Sequence, residues 1–284
     1  MSNLLAKLRE LRGNVSTAIS KVGTKTKQPI YDKSEQAKLL DHMAKTQPDF
    51  VMIWWEISIS TGWRTADVCR LQYSNIDFET GIATITVAKQ SRAAESRAYR
   101  KGLLAIKESR KRDAMMNGDA VQYMKLDAAP LESFSSGLSD EEEQLISELV
   151  SSAPIKTDSK KLPAGLLKRL QRRQEMNLCD DYVFSRSQCS SNYGKTLDGH
   201  ITRQAIWKRL CSVFAWFAKM VNSKLKLSAY STRKTFAYNV MKLAGADGLL
   251  LASEALGHSN PSVTRRYLGL ASKCQEIQER LIAA

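Results

Sequence analysis

The sequence has few of the residues from which metal and disulfide sites are built. Its three histidines, His42, His200 and His258, stand far apart, and its five cysteines show no Cys-x-x-Cys pairing. Zinc ligands usually come as closely spaced sets of cysteine and histidine, and scattered cysteines favour a reducing compartment over a disulfide framework. The sequence therefore predicts no bound metal and no disulfide framework.

Long apolar runs and nucleotide-binding loops are also missing. No run of about 18 apolar residues occurs, the amino terminus lacks the apolar stretch of a secretory signal, and no Gly-x-x-x-x-Gly-Lys-Ser/Thr loop is present. We therefore expect a soluble cytoplasmic protein that has no membrane partner and needs no ATP or other cofactor.

Positive charge is what the sequence has in excess. Its 284 residues include 43 Lys and Arg against 29 Asp and Glu, which gives a formal net charge of +14. Such a balance favours a polyanionic partner, because binding releases the counterions of a nucleic acid. The hydrophobic fraction of 43% is large enough for a buried core.

Hydrophobic spacing predicts a mainly α-helical α+β protein with one small antiparallel sheet. Ala83, Ile85 and Val87 alternate with threonines, as in a half-buried strand, and residues 155–163 resemble the return strand of a hairpin. The segment between them, 92–154, contains a basic helical stretch and then an acidic one, which predicts an insertion inside the hairpin. We expect residues 1–30 to form a basic arm or linker and residues 268–284 to form a helical tail.

Four short motifs follow one another along the rest of the chain. They read Thr61-Gly62-Trp63-Arg64 with Asp67 three positions later, Tyr230-Ser231-Thr232-Arg233-Lys234-Thr235-Phe236, Leu256-Gly257-His258, and Thr264-Arg265-Arg266-Tyr267. A phenol nucleophile and cationic donors around a phosphate are the groups that phosphodiester chemistry by a tyrosine requires.

This series of motifs resembles the catalytic domain of the tyrosine site-specific DNA recombinases, the phage integrase family. The resemblance extends from about Asp32 to the end of the chain, apart from the insertion, and implies a catalytic domain over residues 31–284. It further implies a double-stranded DNA partner, cleavage and rejoining through a 3′-phosphotyrosine, and a homo-oligomer that is a dimer on one site and a tetramer in synapsis. Resolution, integration and excision of a mobile element or plasmid all remain open.

The resemblance also implies a role for each matching residue. Tyr267 would be the nucleophile, while Arg64, Arg233 and His258 would donate hydrogen bonds to the scissile phosphate, with Asp67 orienting Arg64. Arg265 and Arg266 would favour the phenolate form of Tyr267. The further candidates for DNA contact are Arg265, Arg266, Lys234, Arg92, Arg97 and Arg100.

Two positions depart from the family pattern or stay ambiguous. Tyr230 stands where family members usually have histidine, and a phenol with a pKa of about 10 is a poor proton acceptor. Tyr230 could donate a hydrogen bond to the phosphate, leaving proton removal to water or the phosphate, or it could be a packed core residue. The catalytic lysine would be Lys89, at the end of the first strand, or alternatively Lys156. A literal His-x-x-Arg at His200–Arg203 is interpreted as structural.

Two other functions remain open at this level. A type IB topoisomerase or a telomere resolvase would use the same arginine–tyrosine chemistry but rejoin strands differently. A non-catalytic DNA-binding regulator derived from a recombinase is the alternative outside the enzymes. Because residues 1–30 are too few for the separate helical DNA clamp of the family, we expect the insertion to supply DNA or subunit contacts instead.

Overall fold

The computed structural model describes residues 27–176, 181–186, 199–221 and 227–270. The predicted arm at residues 1–30 and tail at 268–284 therefore lie mostly outside the described residues. The chain divides into two compact units, and each is described by itself. The described part of one unit is Thr86–Thr157, and the other unit contains the described residues on either side of it.

The larger unit is mainly helical. Its helices are α1 (Lys33–Thr46), α2 (Asp49–Thr61), α3 (Thr65–Cys69), α7 (Ala164–Glu175), α8 (Arg203–Met220), α9 (Tyr230–Leu243), α10 (Gly248–Ala255) and α11 (Pro261–Tyr267). Local signals set several of their ends: Asp32 caps α1 by accepting from the amide of Ser34, and Thr202 caps α8 by accepting from that of Ala205.

Helix α2 is the central element of this unit. Trp54, Trp55 and Ile57 are among its fully buried side chains, which agrees with a sequence that is apolar around most of the helix. The helix ends at Gly62, whose φ of 67° lies in the left-handed region. A Cβ at this position would lie 2.1 Å from Cδ1 of Phe236 in α9, so only glycine permits this close approach. Gly62 thereby sets the distance between the end of α2 and helix α9.

Three strands form a sheet within the described part of the chain, in the order β1 (Ile76–Asp77), β2 (Ile82–Thr86), β3 (Thr157–Lys161). β1 and β2 are antiparallel, with Ile76 opposite Ala83. At the two ends of the β2–β3 pair, the amide of Val87 donates to the carbonyl of Lys156, and that of Leu162 to the carbonyl of Gly81. The predicted small antiparallel sheet is therefore confirmed.

Strand β2 ends at Thr86, before the last residue of the predicted alternation, Val87. This changes the secondary structure in which Lys89 lies. The amides of Gln90 and Ser91 already donate to the carbonyl of Val87, so the chain turns into helix α4 (Ala88–Met116) directly after the strand. Lys89 therefore lies in the first turn of a helix and not at the end of a strand. Its side chain is exposed.

The smaller unit, Thr86–Thr157, packs helices α5 (Ala120–Ala128) and α6 (Asp140–Ser151) against α4. Its core is an apolar cluster made of Tyr99, Leu103, Ile106, Phe134, Ile146 and Val150. Ser139 and Glu142 form a reciprocal capping box at the start of α6. Arg110 donates two hydrogen bonds to the carboxylate of Glu142, at 2.8 and 2.5 Å, which fastens α4 to α6. The basic and acidic helices predicted for residues 92–154 both fall inside this unit.

Neither a membrane-spanning helix nor a metal-binding cluster is found among the described residues. None of the helices there is both long enough and apolar enough to cross a membrane. Nor do the described residues contain a group of three or more His, Cys, Asp or Glu side chains placed to hold a metal ion.

Candidate active site

Arg233 joins three separate segments of the larger unit. It lies in the first turn of α9, is 7% exposed, and donates to the backbone carbonyls of Gly62 and Leu256, the latter at 2.6 Å. A guanidinium can serve two acceptors in one plane, which an ammonium cannot. Arg233 thus holds the end of α2 and the end of α10 beside the start of α9, and the four sequence motifs meet around it.

Arg64 and Asp67 lie beside this junction, at the start of α3. The side chain of Arg64 is 23% exposed, that of Asp67 is 4% exposed, and Nη1 of Arg64 lies 4.0 Å from Oδ2 of Asp67. Arg64 also acts electrostatically on Arg233, whose pKa it helps to lower. A partly accessible guanidinium is therefore held next to a buried one, with a carboxylate behind it.

His258 follows Gly257, which ends α10 with a φ of 64°. This left-handed residue is the one expected at a helix end, and it turns the chain so that Nδ1 of His258 shares a hydrogen bond of 2.7 Å with Oγ1 of Thr264 in α11. The imidazole ring also meets the ring of Tyr267 edge to face, with centroids 5.6 Å apart. His258 is thus fixed against the helix that carries the tyrosine.

Tyr267 is the last residue of α11. The next residue, Leu268, is buried in an apolar cluster with Ala237, Ala252 and Leu256, and this anchors the end of the helix. The hydroxyl oxygen of Tyr267 is buried, and it meets no partner at standard hydrogen-bond geometry among the described residues. The nucleophile candidate is therefore buried next to the two arginines.

Burial dominates the electrostatics of this tyrosine. Loss of hydration raises the pKa of Tyr267 to about 12, and the positive charges of Arg233 and Arg64 oppose that rise. Arg265 and Arg266, expected to favour the phenolate, are exposed and are not among the causes of the shift. The resting site thus keeps the phenol protonated.

Burial acts on Arg233 in the opposite direction. Desolvation, and then the charge of Arg64, lower the pKa of Arg233 to about 10, while Tyr267, Asp67 and Asp158 act to raise it. A guanidinium whose pKa falls this far lacks sufficient negative charge around it. The site is therefore short of an anion.

Lys234, next to Arg233, is buried as well. It is 4% exposed, and its Nζ lies 4.6 Å from the centroid of the Tyr267 ring. Burial lowers its pKa to about 8, and no carboxylate of the described residues forms an ion pair with it. The sequence predicts Lys234 as a candidate for DNA contact, and the structure places its side chain against the ring of Tyr267.

Tyr230 lies at the edge of the site and is not a core residue. It is 43% exposed, and its hydroxyl accepts a 3.2 Å hydrogen bond from Nη1 of Arg203. Arg203 belongs to the literal His-x-x-Arg that was interpreted as structural. Its partner in that motif, His200, is indeed buried, with Nδ1 2.7 Å from the carbonyl of Ile201, but Arg203 reaches the site. The His-x-x-Arg motif was the sequence signal for Arg203, but the whole motif, including this arginine, was interpreted as structural.

A second contact that sequence reasoning missed involves Trp63 and Asp158. The indole Nε1 of the buried Trp63 donates a 2.9 Å hydrogen bond to Oδ2 of Asp158 in β3, and Lys160 pairs with the same carboxylate at 3.3 Å. This contact links the loop that carries Arg64 to the sheet. Trp63, inside the Thr-Gly-x-Arg motif, was the only sequence signal for it.

The remaining candidates lie in the other unit. Lys89, Arg92, Arg97 and Arg100 are exposed on α4, and Lys156 is exposed just before β3. All five belong to Thr86–Thr157, whereas the site described above belongs to the larger unit.

Comparison with known proteins gives a likeness in structure but not in sequence. No protein-family model and no curated protein matches the sequence. Among solved structures, the XerH site-specific recombinase in a post-cleavage complex with palindromic difH is similar with a TM-score of 0.50 and 15% identity. That comparison covers 95% of this chain and 57% of the XerH chain.

Other solved structures are similar at a lower level. The XerA recombinase has a TM-score of 0.47 and 16% identity over 89% of this chain and 65% of its own. The Tn1549 transposon integrase in complex with transposon right end DNA has a TM-score of 0.49 and 12% identity, over 92% of this chain and 68% of its own.

These comparisons identify the fold. The mainly helical unit with its small antiparallel sheet has the fold of the tyrosine recombinase catalytic domain. The chain spans a little more than half the length of the XerH chain that it matches.

Proposed function

We propose that this protein is a site-specific DNA recombinase that cuts and rejoins DNA through a 3′-phosphotyrosine. The observation that carries the proposal is the junction at Arg233, which brings the motifs of Arg64, His258 and Tyr267 together from segments far apart in sequence. A surface arginine and a packed tyrosine would not require this convergence of cations on one buried phenol.

In the proposed reaction, Oη of Tyr267 attacks the phosphorus of a DNA phosphodiester. A phosphorus–oxygen bond to the tyrosine forms, the bond to the 5′ oxygen breaks, and a 5′ hydroxyl leaves. Arg64 and Arg233 donate to the non-bridging oxygens, His258 adds a further donor, and Asp67 orients Arg64. Because the phosphotyrosine is itself a phosphodiester, rejoining by another 5′ hydroxyl requires no ATP.

Proton delivery to the departing 5′ oxygen is assigned to a lysine of the hairpin. Lys89 and Lys156 are the two candidates, and the link between Val87 and Lys156 keeps them on neighbouring segments. Tyr230, which accepts from Arg203, would present its own hydroxyl proton to the phosphate. Replacing each lysine separately by methionine, and offering a substrate whose 5′ bridging oxygen is sulfur, distinguishes the two candidates. Only the true proton donor becomes dispensable when the leaving group is a thiolate.

The smaller unit is proposed to bind the DNA backbone through the first half of α4. Three cations of its second half make contacts inside the unit: Arg110 pairs with Glu142, Lys111 with Asp127, and Lys107 donates to two carbonyls. The first half has a different character. Its exposed cations form no ion pair with any described residue, and they are Lys89, Arg92, Arg97, Arg100 and Lys101. These five are therefore available for phosphates.

The dependence of DNA binding on salt tests this assignment. Replacing Arg97 and Arg100 by glutamine should weaken binding and lower the slope of log affinity against log salt by about 2, since each lost phosphate contact removes about 0.9. The matched control replaces Arg112 and Lys125, two exposed cations elsewhere on the same unit. An unchanged slope in the first variant, or an equal fall in both, would contradict the assignment.

A covalent trap tests the proposed chemistry. Nicked duplexes from the DNA that flanks the gene are incubated with the protein, so that cleavage next to the nick releases a short fragment and prevents rejoining. We expect a denaturant-resistant protein–DNA adduct with wild type and none with Tyr267→Phe, while Tyr238→Phe in α9 forms it normally. A peptide map should place the DNA on Tyr267. Absence of an adduct in all variants, with DNA still bound, would favour a non-catalytic regulator.

The products distinguish a recombinase from related enzymes. Two duplexes with different end labels should exchange strands if the protein is a recombinase acting as a synaptic tetramer on cytoplasmic DNA. Relaxation of supercoils without exchange would indicate a type IB topoisomerase, and closed hairpin ends would indicate a telomere resolvase. The same assay with paired sites in direct or inverted order reports whether resolution, excision or integration occurs.

A further inference from the structure

The proposed chemistry leaves the phenolic proton of Tyr267 without an acceptor. In that chemistry His258, whose Nδ1 is engaged with Thr264, is a donor to the phosphate, Arg64 and Arg233 are cations, and Tyr230 is a phenol at the edge of the site. A tyrosine whose pKa is about 12 needs a base to become a nucleophile at neutral pH.

Lys234 is the side chain with a basic atom placed against the nucleophile. Its Nζ lies over the ring of Tyr267, 4.6 Å from the centroid. The four-carbon stem of a lysine is flexible, and contacts to a base commonly shorten when substrate binds. The proposed role requires Nζ to move from the face of the ring to its hydroxyl when DNA binds.

The surroundings of Lys234 favour the neutral form of its amine. The groups that contact Tyr267 or act on its charge are Arg64 at the start of α3, Arg233 and Tyr230 from α9, and His258 after α10. The carboxylates of Asp67 and Asp158 act on the neighbouring Arg233. Neither of these carboxylates forms an ion pair with Lys234. With a pKa of about 8, about one tenth of the lysine is neutral at pH 7, against about three parts in ten thousand for a lysine at 10.5.

Resting on the proposed function, we propose that Lys234 is the proton acceptor for Tyr267. In cleavage, the neutral amine takes the phenolic proton as the oxygen of Tyr267 bonds to phosphorus and the 5′ oxygen departs with a proton from the hairpin lysine. In rejoining, the Lys234 ammonium returns the proton to the departing phenolate. Lys234, the residue after Arg233, thus acts as the proton acceptor that Tyr230 cannot be.

The test is single-turnover cleavage of the nicked duplex on which wild type forms its Tyr267 adduct, measured from pH 6 to 9.5. The wild-type rate should rise with pH and level off above about pH 8, because the neutral amine is the active form. Lys234→Met should be slower by about 100-fold or more and lose this inflection. Lys234→Arg, which keeps the positive charge but cannot accept a proton, should be as slow as Lys234→Met.

Two further variants separate proton transfer from packing. Added ethylamine should restore cleavage by Lys234→Ala in proportion to the concentration of its neutral form, and should not help Tyr267→Phe. Lys242→Met is the matched control, since Lys242 also lies over a tyrosine ring, Tyr238, on the same helix but is exposed. It should cleave as wild type does.

The results that would contradict the role of Lys234 differ from those that would contradict the proposed function. If wild type forms no adduct, the recombinase chemistry fails. If wild type forms the adduct while Lys234→Met keeps its rate and pH profile, or while Lys234→Arg cleaves as wild type does, then only the role of Lys234 as proton acceptor is overturned.

Discussion

Replacing Lys234 by methionine should stabilise the folded protein at neutral pH, even though it should disable cleavage. Burial lowers the pKa of Lys234 from 10.5 to about 8, which corresponds to about 3 kcal/mol of unfavourable charge burial. Attraction between the ammonium and the face of the Tyr267 ring recovers about 1 kcal/mol of this. Methionine fills a similar volume without a charge, so we expect a net gain of about 1 to 3 kcal/mol in the free energy of unfolding.

The gain should depend on pH in a defined direction. Below about pH 8 the lysine is protonated in both the folded and the unfolded chain, so the wild type bears the full cost of the buried charge. Between about 8 and 10.5 the unfolded chain binds more protons than the folded one, and wild-type stability rises with pH relative to the variant. The advantage of Lys234→Met should therefore be largest at pH 7 and smaller at pH 9.5.

Urea unfolding of wild type and Lys234→Met at pH 7 and pH 9.5, followed by circular dichroism, measures both quantities. Comparing the two proteins at each pH cancels the titration of Tyr267 and Arg233, whose pKa values are also displaced. Lys242→Met, which removes an exposed lysine from the same helix, should change stability by less than about 0.5 kcal/mol. The burial of a desolvated charge at Lys234 would be refuted in either of two cases. Lys234→Met could be less stable than wild type at pH 7, or its free energy of unfolding could differ from that of wild type by the same amount at both pH values.

Three further perturbations follow from single contacts. Gly62→Ala should unfold the larger unit or lower its stability by about 3 to 5 kcal/mol, because the added Cβ would overlap Phe236. Thermal unfolding measures this loss, and a melting temperature close to that of wild type would contradict it. Arg233→Lys should cost about 1 to 3 kcal/mol because one ammonium cannot replace both donations to backbone carbonyls; retention of both stability and adduct formation would show that the fork is dispensable. Arg110→Met should cost about 1 kcal/mol at pH 7, and the difference from wild type should shrink in acid. The pKa of Glu142 is lowered by Arg110, so the ion pair contributes stability above pH 4.5 that is lost as pH falls through the folded value. The hydrogen bond from Arg110 to the carbonyl of Gly137 does not titrate, and a difference as large at pH 2 as at pH 7 would exclude the ion pair as its source.

The sequence predicted the site best where a local signal accompanies the functional residue. Glycines at the ends of two helices, Gly62 and Gly257, mark the turns beyond which Arg64 and His258 follow. Their conformational requirement is local, so the motif spacing carries it. The small antiparallel sheet was predicted in the same way, from the alternation of apolar and polar residues.

Contacts between distant segments were beyond this reasoning. The hydrogen bond from Arg203 to Tyr230 and that from Trp63 to Asp158 join residues 27 and 95 positions apart, and no periodicity reports such pairings. The burial of Lys234 was missed for a related reason. In a basic sequence a lysine beside an arginine resembles a DNA contact, and only the packing of α11 on α9 shows that it faces Tyr267.

The charges of the site explain why its resting form is costly and what would relieve it. Arg233 and Lys234 are both buried, both have lowered pKa values, and the nearby carboxylate of Asp67 already faces Arg64. An arriving phosphodiester supplies the missing negative charge, so its binding should stabilise the larger unit beyond what backbone contacts alone provide. Under the proposed function, stability lost in the free protein is thereby recovered when a DNA phosphate occupies the site.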